Sequence, residues 1–276
     1  MWNLISNFFT VTLLFGGLLM LYGYLIEPHT VDVTFFKKRH GQRSVATLRI
    51  IQISDLHMGY HVSVKSLDHL ISQVNALDPD VVVITGDTYD NGEKFPHGDL
   101  VAKSLSRLTA HYGKYAIFGN HEYSGNAEEM LKTTMRDSNV TLLVNQVGQV
   151  PHPTLRINIA GADCAIYGER RPEFCSELPE SEFNLLLLHQ ADAIKPYLNY
   201  PIHIVLSGHT HGGQISFPLI GAPILPEMGK RYLKGWYALT GLVDTELYVN
   251  RGFGMTMLPF RFFSKPEITV IDLTPD

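Results

Sequence analysis

Five short blocks of this chain carry side chains that could do chemistry: Asp55-Leu56-His57, Gly86-Asp87, Gly119-Asn120-His121-Glu122, His189, and Gly208-His209-Thr210-His211. They supply carboxylate and amide oxygens and imidazole nitrogens, a donor set suited to first-row divalent cations. Two such cations side by side can clamp both the attacking and the leaving oxygen of a phosphoryl displacement. On an extended strand end, Asp55 and His57 share one face while Leu56 points away, and His209 and His211 alternate around Thr210 in the same way. Gly86, lacking a Cβ, lets Asp87 approach a neighbouring chain closely. Taken singly, each block has a plainer reading: Asn-His suits an ordinary turn, and a histidine after a buried strand is more often a cap. Seven donors from five blocks, each ending an apolar run, are not explained that way.

The elements that must position these residues can be read from hydrophobic periodicity. Residues 48–54 and 80–85 are β-branched runs that end at Asp55 and Gly86-Asp87, and residues 115–118 form a third run ending at Gly119. Between them, Val64, Leu67, Leu70, Ile71, Val74 and Leu77 recur at helical spacing, and residues 100–108 repeat it. Strand, helix, strand, helix, strand implies parallel pairing with right-handed crossovers, and ligands bind at the carboxyl ends of such strands. The second half is richer in short strands, at 141–144, 157–160, 185–188, 203–206, 247–249 and 268–273. An α/β fold follows, with a second sheet packed on the first as a helix-flanked double-β sandwich.

With these blocks in this order, residues 48–273 resemble the calcineurin-like metallophosphoesterases. The resemblance implies that one cation takes Asp55, His57, Asp87 and His211, and the other Asp87, Asn120, His189 and His209, with Asp87 bridging. It implies a water or hydroxide between the cations as nucleophile, His121 beside the leaving group, and no covalent intermediate. Manganese is the expected pair, with iron, zinc or nickel as alternatives. Gln190-Ala191-Asp192 after His189 departs from the usual pattern in the loop without removing a ligand. The segment Gly212-Gly213-Gln214-Ile215 and the C-terminal run from Leu247 through Arg251 and Arg261 to Ile268 are similar to the bacterial, membrane-associated YkuE-type branch. That branch suggests a phosphorylated or nucleotide-linked lipid as substrate, with the pyrophosphate bond of UDP-2,3-diacylglucosamine in lipid A synthesis as one candidate. A general phosphodiesterase or phosphatase tethered to a membrane is the alternative. A binding scaffold is disfavoured, because no ligand is missing. Arg251 and Arg261 are candidates for the phosphate or nucleotide end, through bidentate contacts, with structural ion pairs as the competing role.

Residues 2–26 carry no charged side chain, and 8–26 are dominated by Leu, Phe, Val, Met and Gly. As a helix this spans a hydrocarbon core of roughly 30 Å, with Trp2, Tyr22 and Tyr24 where an aromatic belt belongs. No basic n-region or small-x-small cleavage site marks a cleavable signal. Residues 1–26 therefore read as a transmembrane anchor, 27–47 as a juxtamembrane connector with an extended stretch at 31–36, and 48–276 as the catalytic domain. Lys37, Lys38, Arg39, Arg43 and Arg49 follow the apolar segment, which favours a single-pass protein of the inner membrane with its domain on the cytoplasmic side. The net charge of −5 provides no basic face for nucleic acid. Cys164 and Cys175 are the only cysteines and read as free thiols. Two apolar stretches, 217–226 and 255–263, flank the site motifs. Their prolines and glycines suit loops that either hold acyl chains at a membrane or pack on the sheet.

Overall fold

A computed structural model describes residues 2–275. The side chain of Trp2, expected in an aromatic belt, and the terminal Asp276 lie outside the described residues. The strands are β1 (Asp32–Arg39), β2 (Leu48–Ile53), β3 (Val81–Ile84), β4 (Gly113–Ala116), β5 (Thr141–Leu142), β6 (Gln146–Gln149), β7 (Ile157–Gly161), β8 (Phe183–Leu187), β9 (Ile204–Ser207), β10 (Gly235–Thr240), β11 (Asp244–Val249) and β12 (Glu267–Thr274). The helices are α1 (Trp2–Leu21), α2 (Val64–Asn75), α3 (Gly98–Leu105), α4 (Asn120–Ser124) and α5 (Glu128–Asp137). Two six-stranded sheets result, ordered β1-β12-β2-β3-β4-β5 and β10-β11-β9-β8-β7-β6.

Strand alternation sorts the apolar residues into layers. In β3, Val82 and Ile84 face α2, α3 and α5, while Val81 and Val83 face the other sheet. The inter-sheet layer meets them with Ile157, Ile159, Leu185, Leu187, Ile204 and Leu206. The outer face of the second sheet is closed by short 3-10 segments that carry Cys175 and Tyr197. In α2, Leu67, Leu70, Ile71 and Val74 are buried, each contributing about 1.5–3 kcal/mol relative to exposure. Ser63 caps this helix by accepting the Ser66 N–H at 3.1 Å. The sandwich expected from the sequence is therefore the fold, with helices on one sheet.

Two local features bear on the site. The extended stretch expected at 31–36 within the connector is part of β1, an edge strand paired in parallel with β12 from Asp32 to Arg39. The apolar helix α1 runs into a π turn (Tyr22–Ile26) and a 3-10 turn (Glu27–His29) that dock on the domain. There the Gly23 carbonyl accepts the Arg261 N–H at 3.0 Å, and buried Glu27 accepts the Ser264 N–H at 2.5 Å. Ile5–His29 is long and apolar enough to cross a membrane, and little of it is buried. Cys164 and Cys175 are both buried and free, as the sequence suggested.

Candidate metal centre

Strands β2, β3 and β4 are mutually parallel, as are β8 and β9. Asp55 follows β2, Asp87 follows β3, Asn120 follows β4, His189 follows β8, and His209 and His211 follow β9. All five blocks thus leave their strands in the same sense, and the two sheets converge on one place. The backbone turns sharply there. Asp55, His57, Asp87, His209 and His211 all have left-handed φ, between 47° and 73°. For residues with side chains that conformation costs of order 1–3 kcal/mol each, and it persists only where the surroundings impose it. Gly86 makes the approach possible. At φ 93°, a Cβ on it would lie 2.5 Å from His189 Nδ1.

The donors fall into adjacent clusters. Asp55, His57 and His211 form one, and Asp87, His189 and His209 form another, with the ligand atoms of each within 4.8 Å of one another. In the first, His57 Nε2 lies 3.1 Å from His211 Nε2, which lies 3.5 Å from Asp55 Oδ1. In the second, His189 Nε2 lies 3.1 Å from Asp87 Oδ2. That same oxygen is 3.7 Å from His57 Nε2, so Asp87 stands between the clusters. Such separations are those of ligands sharing an ion at about 2.0–2.2 Å.

Hydrogen bonds behind the ligands fix their tautomers. His189 Nδ1 donates to the Thr85 carbonyl at 2.6 Å. Its buried Nε2 has no hydrogen-bond partner, since Asp87 lies out of line for one. His209 Nε2 bonds the Glu227 carbonyl at 2.6 Å, leaving Nδ1 for the centre. His57 Nδ1 rests on Asp90 Oδ1 at 3.2 Å. Asp55 accepts the His209 N–H at 3.0 Å through both oxygens. Asn120 Oδ1 accepts from Gln190 Nε2 at 3.2 Å, so the residue that departs from the family's usual pattern orients an expected ligand. An orphaned buried imidazole nitrogen, aimed into a cluster of carboxylates and imidazoles, fits a pair of divalent cations.

The electrostatics agree. Burial pushes the Asp87 carboxyl up, but His189, His121 and His57 outweigh it and hold it well below the usual range. Burial lowers His189, but the charge of Asp87 reverses this and raises it to about 10. His209 and His211 are lowered by burial and by neighbouring positive groups. Protons on this cluster do work that a cation would take over, so metal uptake would release protons.

The sequence profile of the calcineurin-like phosphoesterases matches residues 48–213. The chain belongs to that family. It is a metal-dependent hydrolase by that membership, and it is similar to named relatives along nearly its whole length. It is 37% identical to the Bacillus subtilis metallophosphoesterase YkuE, over 91% of this chain and 89% of that one. It is 27% identical to the Escherichia coli phosphodiesterase YaeI, over 91% and 92%. A Danio rerio transmembrane protein with a metallophosphoesterase domain is 31% identical over 95% of this chain and 62% of its own length.

Other expected site residues sit as follows. His121 lines a cavity of ≈ 380 Å³ over the centre, together with Asp87, Asn120, His209 and His211. Its Nδ1 lies 3.3 Å from Asp90 Oδ1. Burial would lower this imidazole, but Asp90 and Asp87 raise it to about 9. The two arginines are engaged by protein groups. Arg261 is fully buried, and its guanidinium donates to the carbonyls of Arg251, Gly252, Gly254 and Ser264, with Nη2 3.3 Å from His211 Nδ1. Arg251 pairs with Glu267 at 3.0 Å and Asp32 at 3.2 Å. Both arginines thus brace the 251–264 loop, the structural role that the sequence left open beside phosphate binding.

Two residues that sequence reasoning gave no role are central. Asp90 supports both His57 and His121. Glu122, fully buried, accepts the N–H groups of Gly119, Asp87 and Tyr89 at 2.8, 3.2 and 3.0 Å, tying two ligand loops together. Burial, reinforced by Asp87, raises its carboxyl to about 7. Glu122 sits three residues after Gly119, the spacing of a capping box, so a signal existed. Asp90 had only its position three residues beyond Asp87.

Proposed function

We propose that this chain is a membrane-tethered, two-metal hydrolase of phosphodiester or pyrophosphate bonds in lipid-linked substrates. The observation that carries the reading is Asp87 Oδ2, held within ligand distance of His57 in one cluster and His189 in the other. Asp55, His57, Asp87 and His211 would hold one cation and Asp87, Asn120, His189 and His209 the other. When bound, two such cations supply charge for the phosphoryl oxygens and a water acidified toward neutrality. His121, anchored through Nδ1 by Asp90, keeps Nε2 for the leaving oxygen. Its raised pKa keeps it protonated at neutral pH, as an acid requires. Cations on Asp87 would cancel one of the charges that raise it and leave Asp90 as its support.

The likeness to a phosphodiesterase, YaeI, supports a diester as the bond. The apolar α1 and the exposed Lys37, Arg39 and Arg43 after it support an inner-membrane protein with its domain on the cytoplasmic side. A diacylated nucleotide-sugar pyrophosphate, as in lipid A synthesis, belongs to the substrate class. Manganese is the proposed pair. The test is Asp87→Ala, because losing a bridging carboxylate leaves two cations repelling at roughly 4 Å. Turnover of bis(nitrophenyl) phosphate should vanish and bound metal fall below two equivalents by elemental analysis. Two equivalents retained would remove the bridging assignment.

A further inference from the structure

Two hollows meet beside the metal centre. The first, the ≈ 380 Å³ cavity, begins at Asp87 and His121 and ends on Ile215, Met257 and Leu258. The second, of ≈ 740 Å³, lies between α1 and the loop after it in space, with Leu13, Gly16, Gly17 and Met20 on one wall and Phe260 and Phe262 on the other. Ile215 and Leu258 line both. We infer that the second hollow is a hydrocarbon-chain slot, and that the pair receives one amphiphilic phosphoester with its phosphate over the metal ligands and its chain against α1. The inference rests on the phosphoesterase reading and goes beyond it by assigning α1 a part in substrate binding.

The ends of the path differ in chemistry, and that difference selects the occupant. One end offers carboxylate, amide and imidazole groups. The other offers hydrocarbon and aromatic surface, and its Thr12 hydroxyl is already spent on the Phe8 carbonyl at 2.9 Å. A peptide would leave its backbone groups unpaired there, whereas an alkyl chain needs no partner. The slot also opens where the surface is apolar without protein cover. Leu219, Ile220, Ile224 and Met257 are each at least 74% exposed, next to a helix whose outward side chains are exposed leucines and phenylalanines. A patch of that kind marks a membrane contact rather than a water-facing surface.

The walls are fixed with respect to the centre. Phe260 seats its ring on Gly23, where a Cβ would lie 2.2 Å from its Cζ. The neighbouring Arg261 donates its backbone N–H to Gly23 and its guanidinium to the loop around Asp55 and His211. The concavity itself comes from Gly16 and Gly17, since a Cβ on either meets nothing within 4 Å. A Cβ there meets no clash, and larger residues would extend into the slot and favour the helix.

The full-length protein in phosphatidylcholine nanodiscs should be assayed on soluble alkyl nitrophenyl phosphodiesters, from methyl to octyl. The kcat/KM should climb with chain length by up to about fourfold for each methylene buried, through KM. Gly16→Leu and Gly17→Phe should collapse the octyl-to-methyl ratio toward one, and Leu18→Phe, off the slot, should keep the wild-type ratio. A flat profile in a wild type that hydrolyses the methyl diester overturns the slot and leaves the phosphoesterase reading standing. A chain preference that survives both glycine variants also overturns it, because bilayer lipid then fills the hollow and the substrate chain lies elsewhere. A wild type with no metal-dependent turnover of the methyl diester overturns both.

Discussion

Asp90 offers the sharpest test of how the centre is held. Its carboxylate, largely buried, lies 3.2 Å from His57 Nδ1 and 3.3 Å from His121 Nδ1. It therefore supports a proposed ligand and the proposed acid at once. A hydrogen bond with a charged partner is worth about 1.5–3 kcal/mol, and a carboxylate behind a ligating histidine about 10–100-fold in affinity or activity. Asp90→Ala should therefore weaken metal binding by about 10–100-fold in a calorimetric titration. It should also lower kcat at saturating manganese, because His121 loses its anchor. Asp90→Asn should fall between, since an amide oxygen still accepts one imidazole N–H but carries no charge. The two roles separate in a double-mutant cycle. On a His121→Ala background, Asp90→Ala should lose only its metal-linked share, giving a coupling in kcat of about 10–100-fold. Unchanged metal affinity together with full additivity would refute the reasoning, and Asp90 would be an ordinary loop residue.

His121→Ala alone should keep two metal equivalents while turnover drops roughly 10²–10⁴-fold, with a smaller loss for nitrophenyl than for alkyl leaving groups; equal losses would point to positioning. Glu122→Ala orphans three backbone N–H groups, at about 1–3 kcal/mol each. Its Tm should fall by on the order of 10 °C, and a scanning calorimetry shift under about 2 °C would deny the tie between the loops. Stripping divalent ions with a chelator should lower Tm by mass action without changing the far-ultraviolet dichroism. Loss of secondary structure would instead mean that metal builds the fold.

The proposed ligands were legible because each ends an apolar run whose period reveals the strand, as Ile50, Ile51 and Ile53 do before Asp55. The supporting residues were less so. In sequence Arg261 suits a phosphate or a structural pairing alike, and only the tertiary fold shows the four carbonyls and the imidazole around its guanidinium. Asp90 gains its meaning from His57 and His121, both at least thirty residues away. Helix α5 escaped periodicity because it buries only Leu131, Thr134 and Met135 beneath an otherwise polar sequence. Strand β1 is legible as an extended stretch but not as a sheet member, because its later positions alternate exposed and half-buried residues, and its lysines and arginine are the composition that guards sheet edges.

The left-handed turns at Asp55, His57, Asp87, His209 and His211 have a consequence for the order of events in the cell. Conformations this uncommon are imposed by the strands and loops around them, and Thr85, Glu227 and Asp90 hold the rings from behind. Maturation should then run from folded apoprotein to loaded enzyme, the reverse of small zinc-dependent domains that gain their shape from the ion. Choice among borderline cations then rests on the geometry and donor types settled beforehand, together with supply, because raw affinity alone does not select among them.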